Sequence, residues 1–268
     1  MKGYVTVGKS DFYVEIYGTA SKTLVFFHGF SQTHETFYPL LQNLKTYKVV
    51  LVDLLGHGNT RDEYESYSFE LLVTLLEALF EKLGLFTFDL YGYSMGARVA
   101  MHFCRSYPQR VEHLLLESSS AGLKSYEEVE SRVIQDQNVE SKIIEGLEQF
   151  NEFWKSLPLF SRLKNLSIEK QENIERMRLS QNPKNLIKAL KGFSIARQKN
   201  LLEEFQFKQI CLIAGKEDLK YCQIMQEMAH KWSAPLVCVE NAGHNVHIEH
   251  PLEIVEIIQN ISVKSKMI

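Results

Sequence analysis

The feature that most constrains the fold of this chain is an alternation of short apolar runs with segments of helical periodicity. The runs "TLVFFHG", "YKVVLVDL", "FTFDLYGYS" and "VEHLLLESS" are nearly continuous in hydrophobic residues, as strands buried on both faces should be. Between them lie "ETFYPLLQNL", "SFELLVTLLEALFEKLG" and "MGARVAMHFCRSYP", whose apolar residues recur at helical spacing. Strand and helix in alternation favour parallel strands joined by right-handed crossovers. The sequence predicts an α/β fold with a mostly parallel sheet flanked by helices, and an antiparallel edge hairpin in "YVTVGKSDFYVEIYG".

The pattern changes between residues 121 and 205, where charged helical segments follow one another without a convincing strand. These segments include "EEVESRVIQDQ", "EGLEQFNEFWKSLPLF", "IEKQENIERMRL" and "NLIKALKGF". The β/α rhythm then resumes with "QICLIAGKED", "QIMQEMAHKW", "APLVCVENAGH" and "PLEIVEIIQNI". We therefore predict a core formed by residues 1–120 and 206–268, and a helical cap formed by residues 121–205 that lies over the ligand-binding edge of the sheet.

Composition narrows the classes of function. The chain has 268 residues, 45% of them hydrophobic, and a formal net charge of −3, so it can bury a large core and has no general basic surface for nucleic acid or anionic membranes. Its four cysteines are scattered without CxxC or zinc-like spacing, and no apolar run resembles a signal peptide or membrane span. We expect a cytoplasmic protein that binds neither nucleic acid nor membranes. The sequence leaves the oligomeric state open, and a monomer is our expectation.

The stretch "GYSMG" carries the first signal of chemistry. Gly92, Ser94 and Gly96 fit the pattern G-x-S-x-G directly after a predicted strand and before a predicted helix, which is the context that this nucleophile motif requires. The glycines suit a turn too tight for neighbouring Cβ atoms, and the helix N-terminus directs N–H groups at developing negative charge. Ser94 is the candidate nucleophile, although a simple turn residue is the alternative.

Partners for the serine follow in the chain order serine, acid, histidine. Asp218 ends the predicted strand "CLIAGKED" and His244 follows the predicted strand "LVCVENAG", so both lie where open α/β sheets place their sites. His244 would accept the Ser94 proton, and Asp218 would fix its tautomer. The motif "HGF" after an earlier strand would supply the Phe30 N–H to an oxyanion hole, with the Met95 N–H as the second donor.

Several alternatives remain open at this point. Glu217 could replace Asp218 as the acid, and His247 or His250 could replace His244 as the base. His28, inside "HGF", is better read as a residue that shapes the oxyanion loop than as a base.

These motifs together resemble the α/β-hydrolase superfamily over essentially the whole chain. Within it, "HGFSQTHETF", "DLLGHGNT", "GYSMGARVAM", "LLLESSSAGL" and "NAGHNVHIEHP" resemble the family of 2-succinyl-6-hydroxy-2,4-cyclohexadiene-1-carboxylate (SHCHC) synthases of menaquinone biosynthesis. One departure is Ala97, where members usually have a second glycine. The resemblance implies a carbon–oxygen lyase that expels pyruvate from a cyclohexene bearing ring, succinyl and enolpyruvyl carboxylates. It implies no metal and no organic cofactor.

Arg98 lies four residues after Ser94, so the two side chains share nearly one helix face. Residue chemistry alone leaves two equal readings, a carboxylated ligand or an ion pair within the protein. The resemblance favours the ligand, and it implies two cap arginines with the same role, Arg132 and Arg178. It also suggests Trp154 as a cap wall. The motif residues Tyr93 and His28 complete the predicted substrate-binding set.

Two other classes of function compete with a lyase. A serine hydrolase acting on an ester or a carbon–carbon bond would use the same triad for nucleophilic attack. A non-catalytic ligand-binding module could retain the fold, since a fold alone does not define a function. Three arginines favour a polyanionic ligand, whereas an ordinary ester would favour an apolar cap.

Overall fold

The computed structural model describes residues 1–264, with side chains described through residue 261. Nine strands form one sheet in the order β1-β2-β4-β3-β6-β7-β8-β9, and β5 pairs with β2 beside this path. The strands are β1 (Lys2–Val7), β2 (Ser10–Tyr17), β3 (Thr23–Phe27), β4 (Lys48–Val52), β5 (Arg61–Asp62), β6 (Phe88–Tyr93), β7 (Val111–Glu117), β8 (Ile210–Gly215) and β9 (Leu236–Val239).

The sheet is parallel from β4 through β3, β6, β7 and β8 to β9, and antiparallel where β2 meets β1, β4 and β5. Strands β3, β6 and β8 are buried at every residue, because helices cover both faces of the parallel part. The predicted α/β fold with a mostly parallel sheet is confirmed, and so is the antiparallel hairpin at the edge. Parallel pairing brings the carboxyl ends of β3, β6, β7, β8 and β9 to one edge.

Ten α-helices lie within the described residues. They are α1 (Tyr38–Leu41), α2 (Phe69–Lys82), α3 (Met95–Ser106), α4 (Tyr126–Glu145), α5 (Leu147–Ser156), α6 (Ile168–Leu179), α7 (Pro183–Gly192), α8 (Leu219–Trp232), α9 (Val246–Glu249) and α10 (Pro251–Lys264). Four 3-10 helices span His34–Phe37, Pro108–Arg110, Pro158–Asn165 and Ile195–Arg197. No helix of the described part of the chain is both long and apolar enough to span a membrane.

Two hydrophobic cores lie on opposite faces of the sheet. Val25 and Phe27 of β3 face a core that includes residues of α2, α3 and α8, whereas Leu24 and Phe26 face a core that includes residues of α1 and α10. This alternation follows from the two-residue period of a strand, and each large buried side chain contributes about 1.5–3 kcal/mol. Both faces of the strands that carry the site are thus fixed by packing.

The region between β7 and β8 is helical. It contains α4 to α7 and the 3-10 helices Pro158–Asn165 and Ile195–Arg197. Two small hydrophobic clusters hold these helices together, one around Phe150 and Leu186 and the other around Phe160 and Met177. This helical insertion, here called the cap, is anchored at both ends on strands of the same sheet.

One predicted helix is shorter than its periodicity indicates. The segment "ETFYPLLQNL" forms a 3-10 turn and then the single α-helical turn α1. The buried carboxylate of Asp53 accepts hydrogen bonds from the His34 backbone N–H and lies 2.8 Å from its Nδ1. This tertiary contact fixes the start of the segment, and the pattern of apolar residues could not show it.

Candidate active site

The serine of the G-x-S-x-G motif lies on a strained turn between β6 and α3. Ser94 has φ 52° and ψ −109°, a conformation that is costly for a residue with a side chain. A Cβ at Gly92 would lie 2.5 Å from the Cα of Ala97, and a Cβ at Gly96 would lie 2.2 Å from the Phe27 carbonyl oxygen. Both glycines are therefore required by close backbone approach, and the turn presents the serine at the carboxyl edge of the sheet.

Ser94, His244 and Asp218 form one hydrogen-bonded chain. The Nε2 atom of His244 lies 3.2 Å from the Ser94 Oγ, and its Nδ1 lies 2.6 Å from the Asp218 Oδ2. His244 is 2% exposed and Asp218 is 7% exposed. With a proton on Nδ1 donated to the carboxylate, Nε2 is free to accept the serine hydroxyl proton. This is the geometry of an activated nucleophile or of a relayed base.

The alternative acid and bases make other contacts. Glu217 directs its carboxylate away from the histidine and pairs with Arg162 of the cap at 2.8 Å. The ring of His247 pairs with the buried carboxylate of Glu117, and the Nε2 atom of His250 lies 3.0 Å from a backbone carbonyl oxygen. Only Asp218 and His244, of the candidates weighed, lie in line with Ser94.

The oxyanion loop follows β3, and His28 supports it from beneath. The His28 ring is fully buried, its Nε2 accepts the Leu54 N–H at 3.0 Å, and its Nδ1 lies 2.9 Å from the Gly29 carbonyl oxygen. Burial lowers the pKa of His28 to about 3, so the ring is neutral. His28 thus uses both ring nitrogens within the protein, one toward Leu54 and one toward Gly29, and its predicted contact with substrate stays a prediction.

Tyr93 makes a buried hydrogen bond within the protein. Its hydroxyl donates a 2.7 Å hydrogen bond to the Asn245 Oδ1, which also accepts from the Gln32 amide at 3.1 Å. The Tyr93 ring packs against His244, with centroids 5.4 Å apart, and is 2% exposed. Tyr93 therefore holds the histidine loop in place, and its predicted role toward substrate stays a prediction. Asn245 and Gln32 lie inside the motifs "NAGHNVHIEHP" and "HGFSQTHETF", but the sequence analysis assigned them no role.

Phe30 and Met95 are the predicted donors of the oxyanion hole, and that role stays a prediction. Met95 is the first residue of α3, so no carbonyl lies one helical turn before it to accept its N–H. The Phe30 ring packs on Trp154 of the cap, with centroids 5.5 Å apart. Trp154 in turn stacks near Phe160, whose ring lies 5.7 Å from that of His244. The cap thus covers the triad with an aromatic wall.

Arg98 is buried without a carboxylate partner among the described residues. It is 6% exposed, its Nη2 donates to the Phe193 carbonyl oxygen at 2.8 Å, and its Nε has no hydrogen-bond partner. Burial lowers the pKa of Arg98 to about 10, so it keeps its charge near neutral pH. Of the two readings of Arg98, the ion pair within the protein is absent from the described structure.

The two cap arginines differ from each other. Arg178 resembles Arg98, since it is 3% exposed, donates to the Asn151 Oδ1 at 2.6 Å, and has an Nε without a partner. Burial lowers its pKa to about 10. Arg132 instead pairs with Asp136 one turn along α4, at 2.7 Å, and is partly exposed. Arg132 therefore already pairs with a carboxylate of the protein, whether or not it also binds a ligand.

Two cavities are lined by aromatic residues whose rings contact the triad histidine, although no triad residue lines either cavity. One has a volume of about 460 Å³, and both Arg132 and Tyr221 line it. The other has a volume of about 270 Å³, and both Arg178 and Phe160 line it. Tyr221 connects the first cavity to the triad, because its ring lies 4.6 Å from the His244 ring. Tyr221 was not predicted, since its contact with the histidine depends on how α8 packs.

A second buried histidine–carboxylate pair lies beneath the site. The Glu117 carboxylate accepts from the His247 N–H at 3.1 Å and lies 2.9 Å from the Nδ1 of the same residue, and it also accepts from the Tyr91 hydroxyl. The His247 Nε2 lies 2.8 Å from the Thr36 Oγ1. The backbone carbonyl of Glu117 accepts the Ser94 N–H at 2.9 Å. One residue therefore connects the serine turn to the loop that carries His244.

The only cluster of potential metal ligands found among the described residues lies away from this edge. Asp89, Glu112 and His113 have ligand atoms within 4.8 Å of one another, near the starts of β6 and β7. Asp89 already pairs with His113 and with Lys22. The cluster lies near the amino ends of the parallel strands and the triad lies at their carboxyl ends, so the length of a strand separates the two.

Comparison with known proteins agrees with this geometry. The protein family with the description "alpha/beta hydrolase fold" matches residues 22–251 of this chain. The chain therefore belongs to the α/β-hydrolase fold family. A Bacillus subtilis (strain 168) protein provisionally assigned as a 2-succinyl-6-hydroxy-2,4-cyclohexadiene-1-carboxylate synthase is 36% identical over 240 residues, which is 87% of each chain. A Klebsiella pneumoniae synthase of the same name is 28% identical over 89% of this chain and 92% of its own length.

A solved structure shows the same relationship. The structure of MenH from S. aureus superimposes with a TM-score of 0.88 and 29% identity, over 94% of this chain and 98% of that one. Within the α/β-hydrolase fold, the chain belongs to the SHCHC synthase family.

Proposed function

We propose that this protein is an SHCHC synthase, a lyase of menaquinone biosynthesis. It converts 2-succinyl-5-enolpyruvyl-6-hydroxy-3-cyclohexene-1-carboxylate to SHCHC and pyruvate. The single observation that carries the proposal from the structure is the pairing of a buried triad with two buried arginines, Arg98 and Arg178, that have no carboxylate partner in residues 1–264. A substrate with three carboxylates supplies the missing anions. The names of the relatives described above support the choice of reaction.

The chemistry is a proton abstraction followed by an elimination. A ring proton next to the succinyl ketone is removed, the 3,4 double bond shifts to form the 2,4-diene, and the bond from C5 to the enolpyruvyl oxygen breaks. The pyruvate enolate that leaves then takes up a proton. Ser94, whose hydroxyl proton passes to His244, is the proposed base, and Asp218 stabilises the imidazolium. No covalent acyl-enzyme is needed.

The oxyanion hole has a role in this reaction too. Removal of the proton places negative charge on the succinyl ketone oxygen, and preorganised N–H donors stabilise such a charge in a site from which water is excluded. The N–H groups of Phe30 and Met95 are the proposed donors. Mutations that remove one donor of this kind usually cost 10²–10³ in rate, or about 3–4 kcal/mol. The residues present therefore supply a base and an electrophile without a cofactor.

Three arginines are the proposed residues that bind the substrate carboxylates. A guanidinium that is already buried in the free protein binds a carboxylate strongly. Its charge has lost its hydration before the substrate arrives, so binding does not have to desolvate it again. Arg98 and Arg178 are of this kind, and Arg132 at the edge of the larger cavity completes the proposed set. We assign Trp154, whose ring contacts Phe30 and Phe160, to a wall of the cap, and residues 121–205 to the cap that closes over the substrate. The cytoplasm is the proposed location, and the proposed unit is a monomer.

One experiment distinguishes the proposed lyase from the two other functions, a serine hydrolase and a non-catalytic binding protein. The purified protein is incubated with the enolpyruvyl substrate and, separately, with a p-nitrophenyl ester, and pyruvate and nitrophenol are followed. Pyruvate release far faster than ester cleavage supports the lyase. Brisk ester cleavage without pyruvate would replace it with a serine hydrolase of the same fold. Tight substrate binding with neither product would indicate a non-catalytic binding protein.

A further inference from the structure

A single arginine of the cap contacts both loops that carry the acid and the base of the triad. Arg162 lies in the 3-10 helix Pro158–Asn165. Its Nη1 donates to the Glu217 Oε2 at 2.8 Å, its Nη2 donates to the Asn241 carbonyl oxygen, and its Nε lies 3.5 Å from the Glu249 Oε2. The guanidinium thus uses all three of its nitrogens, on acceptors from three places in the chain.

Each acceptor is adjacent to a triad residue or bonded to its loop. Glu217 directly precedes Asp218, and its N–H donates to the Ala242 carbonyl oxygen at 2.9 Å. The same Glu249 oxygen that faces the arginine accepts the N–H of Gly243 at 2.9 Å, and Gly243 directly precedes His244. The two loops are therefore joined to each other and to the cap through one guanidinium.

The stem of the arginine packs on the same loop. A Cβ at Gly243 would lie 2.9 Å from the Arg162 Cγ, so the absence of a side chain at 243 is what lets the cap segment approach this closely. Two residues away, Phe160 places its ring 5.7 Å from that of His244. Leu163 packs with Ile248 of α9 in one hydrophobic cluster. The histidine loop is thus backed by the cap through polar and apolar contacts.

We propose that Arg162 is a positioning residue that holds the loop of Asp218 and the loop of His244 in register with each other. Its pair with Glu217 is largely exposed and adds little to stability, so the main effect of this arginine is on geometry. A misplacement of about 1 Å at a reacting group can cost 10²-fold in rate. The part of this inference that concerns the lyase rate rests on the proposed function.

The test compares Arg162→Gln and Arg162→Lys with the wild type and with Arg176→Gln. Arg176 is a matched control, because it also joins the cap to the core, through Glu35 at 2.6 Å, but contacts neither triad loop. Two rates are measured for each protein. The first is pyruvate release, resolved into kcat and KM. The second is sulfonylation of Ser94 by phenylmethylsulfonyl fluoride, read by intact mass, with Ser94→Ala as the blank.

The sulfonylation rate measures the reactivity of the triad in the absence of the natural substrate. The serine oxygen attacks sulfur, fluoride leaves, and His244 takes the hydroxyl proton. We expect Arg162→Gln to lower kcat and the sulfonylation rate by the same factor, 10- to 100-fold, with KM changed less than twofold. Arg162→Lys should recover part of both rates, and Arg176→Gln should change neither.

Three results would overturn the inference. They are an unchanged sulfonylation rate in Arg162→Gln, a rise in KM alone, or an equal loss of rate in Arg176→Gln. A wild-type protein that releases no pyruvate would refute the proposed function instead, and the sulfonylation rates would still decide the role of Arg162.

Discussion

The guanidinium of Arg98 donates a 2.8 Å hydrogen bond to the carbonyl oxygen of Phe193, and no carboxylate within residues 1–264 pairs with this buried charge. A buried charge without a counterion is costly, and proteins seldom keep one without a reason. The Nε of Arg98 also lacks a partner, one helical turn from Ser94. A buried guanidinium without a directly paired carboxylate fits the proposed role of Arg98 in binding a substrate carboxylate.

Replacing this arginine should separate binding from stability. We expect Arg98→Met, which keeps most of the buried volume, to raise KM for the enolpyruvyl substrate by about 10- to 100-fold, since a hydrogen bond to a charged group contributes about 1.5–3 kcal/mol. The same change should increase the free energy of unfolding by about 2 kcal/mol, because the unpaired charge is gone. Steady-state kinetics and urea unfolding measure the two effects.

The control for this prediction lies on the same helix. Arg105 of α3 is exposed and contacts Glu204 at 3.7 Å, so Arg105→Met should alter neither KM nor stability by much. If Arg98→Met left KM unchanged, Arg98 would have no role in substrate binding.

Substitutions of the two cap arginines should raise KM by unequal amounts. Arg178 is buried without a carboxylate partner in the described structure, whereas Arg132 already pairs with Asp136 at 2.7 Å. We expect Arg178→Met to raise KM about as much as Arg98→Met does, and Arg132→Met to raise it less. KM values of the two variants under identical salt conditions make the comparison. A larger effect at position 132 would reverse the assignment of the main binding residue.

The buried pair beneath the site should matter for both stability and rate. In Glu117→Gln an amide replaces one carboxylate oxygen, so an N–H group must face either the Tyr91 hydroxyl or the His247 backbone N–H. We expect a loss of about 3 kcal/mol in the free energy of unfolding, because breaking a buried charged pair leaves groups unsatisfied. Since Glu117 also connects to the Ser94 N–H, kcat should fall with little change in KM.

Glu112→Gln is the matched control, as Glu112 is an exposed residue on the same strand, β7. Chemical unfolding and kcat of both variants check the prediction. Equal stability of the Glu117 and Glu112 variants would show that the buried pair does not hold the site together.

Acid should destabilise the protein partly through His102. Burial lowers the pKa of His102 to about 4, and its ring stacks on Phe69 with centroids 4.3 Å apart. Between pH 6.5 and 4 the unfolded chain therefore binds a proton that the folded chain does not. The free energy of unfolding then falls as the pH falls, by up to about 1.4 kcal/mol per pH unit for one histidine.

Urea unfolding of wild type and His102→Phe at pH 7.5, 6 and 5 tests this. The variant should lose less stability on acidification, while buried His28 and His57, whose pKa values are lowered to about 3 and about 4, contribute equally to both proteins. Parallel curves for the two proteins would mean that His102 does not titrate as described.

The sequence indicated the residues that lie in motifs and missed those that meet through packing. Ser94, Asp218 and His244 were predicted from a glycine pattern and from their order at strand ends, since parallel strands bring those ends together. Tyr221 contacts the triad histidine only because of how α8 packs, and no motif marks it. Asn245 lies in a quoted motif, but its bond to Tyr93 depends on the packing of the histidine loop.

The arginines show a different limit of the sequence. Whether Arg98 has an ion-pair partner depends on which carboxylates the fold brings near it, and residue chemistry left the two readings equal. His28 and Tyr93 were assigned to substrate because they lie inside matching motifs, yet the structure uses their polar atoms to hold loops. A motif identifies the neighbourhood of a site, and burial and hydrogen bonding decide what each side chain does there.

The most direct measurement follows pyruvate and the conjugated cyclohexadiene in the same reaction, with wild type beside Ser94→Ala and His244→Ala. The account predicts that wild type forms the two products one for one, and that each variant loses at least about 10³-fold in kcat, as loss of a triad member usually causes. Substrate binding, measured by calorimetry, should persist in both variants because the arginines are intact. Pyruvate and diene formation at an undiminished rate in Ser94→Ala would contradict the claim that the triad performs the elimination.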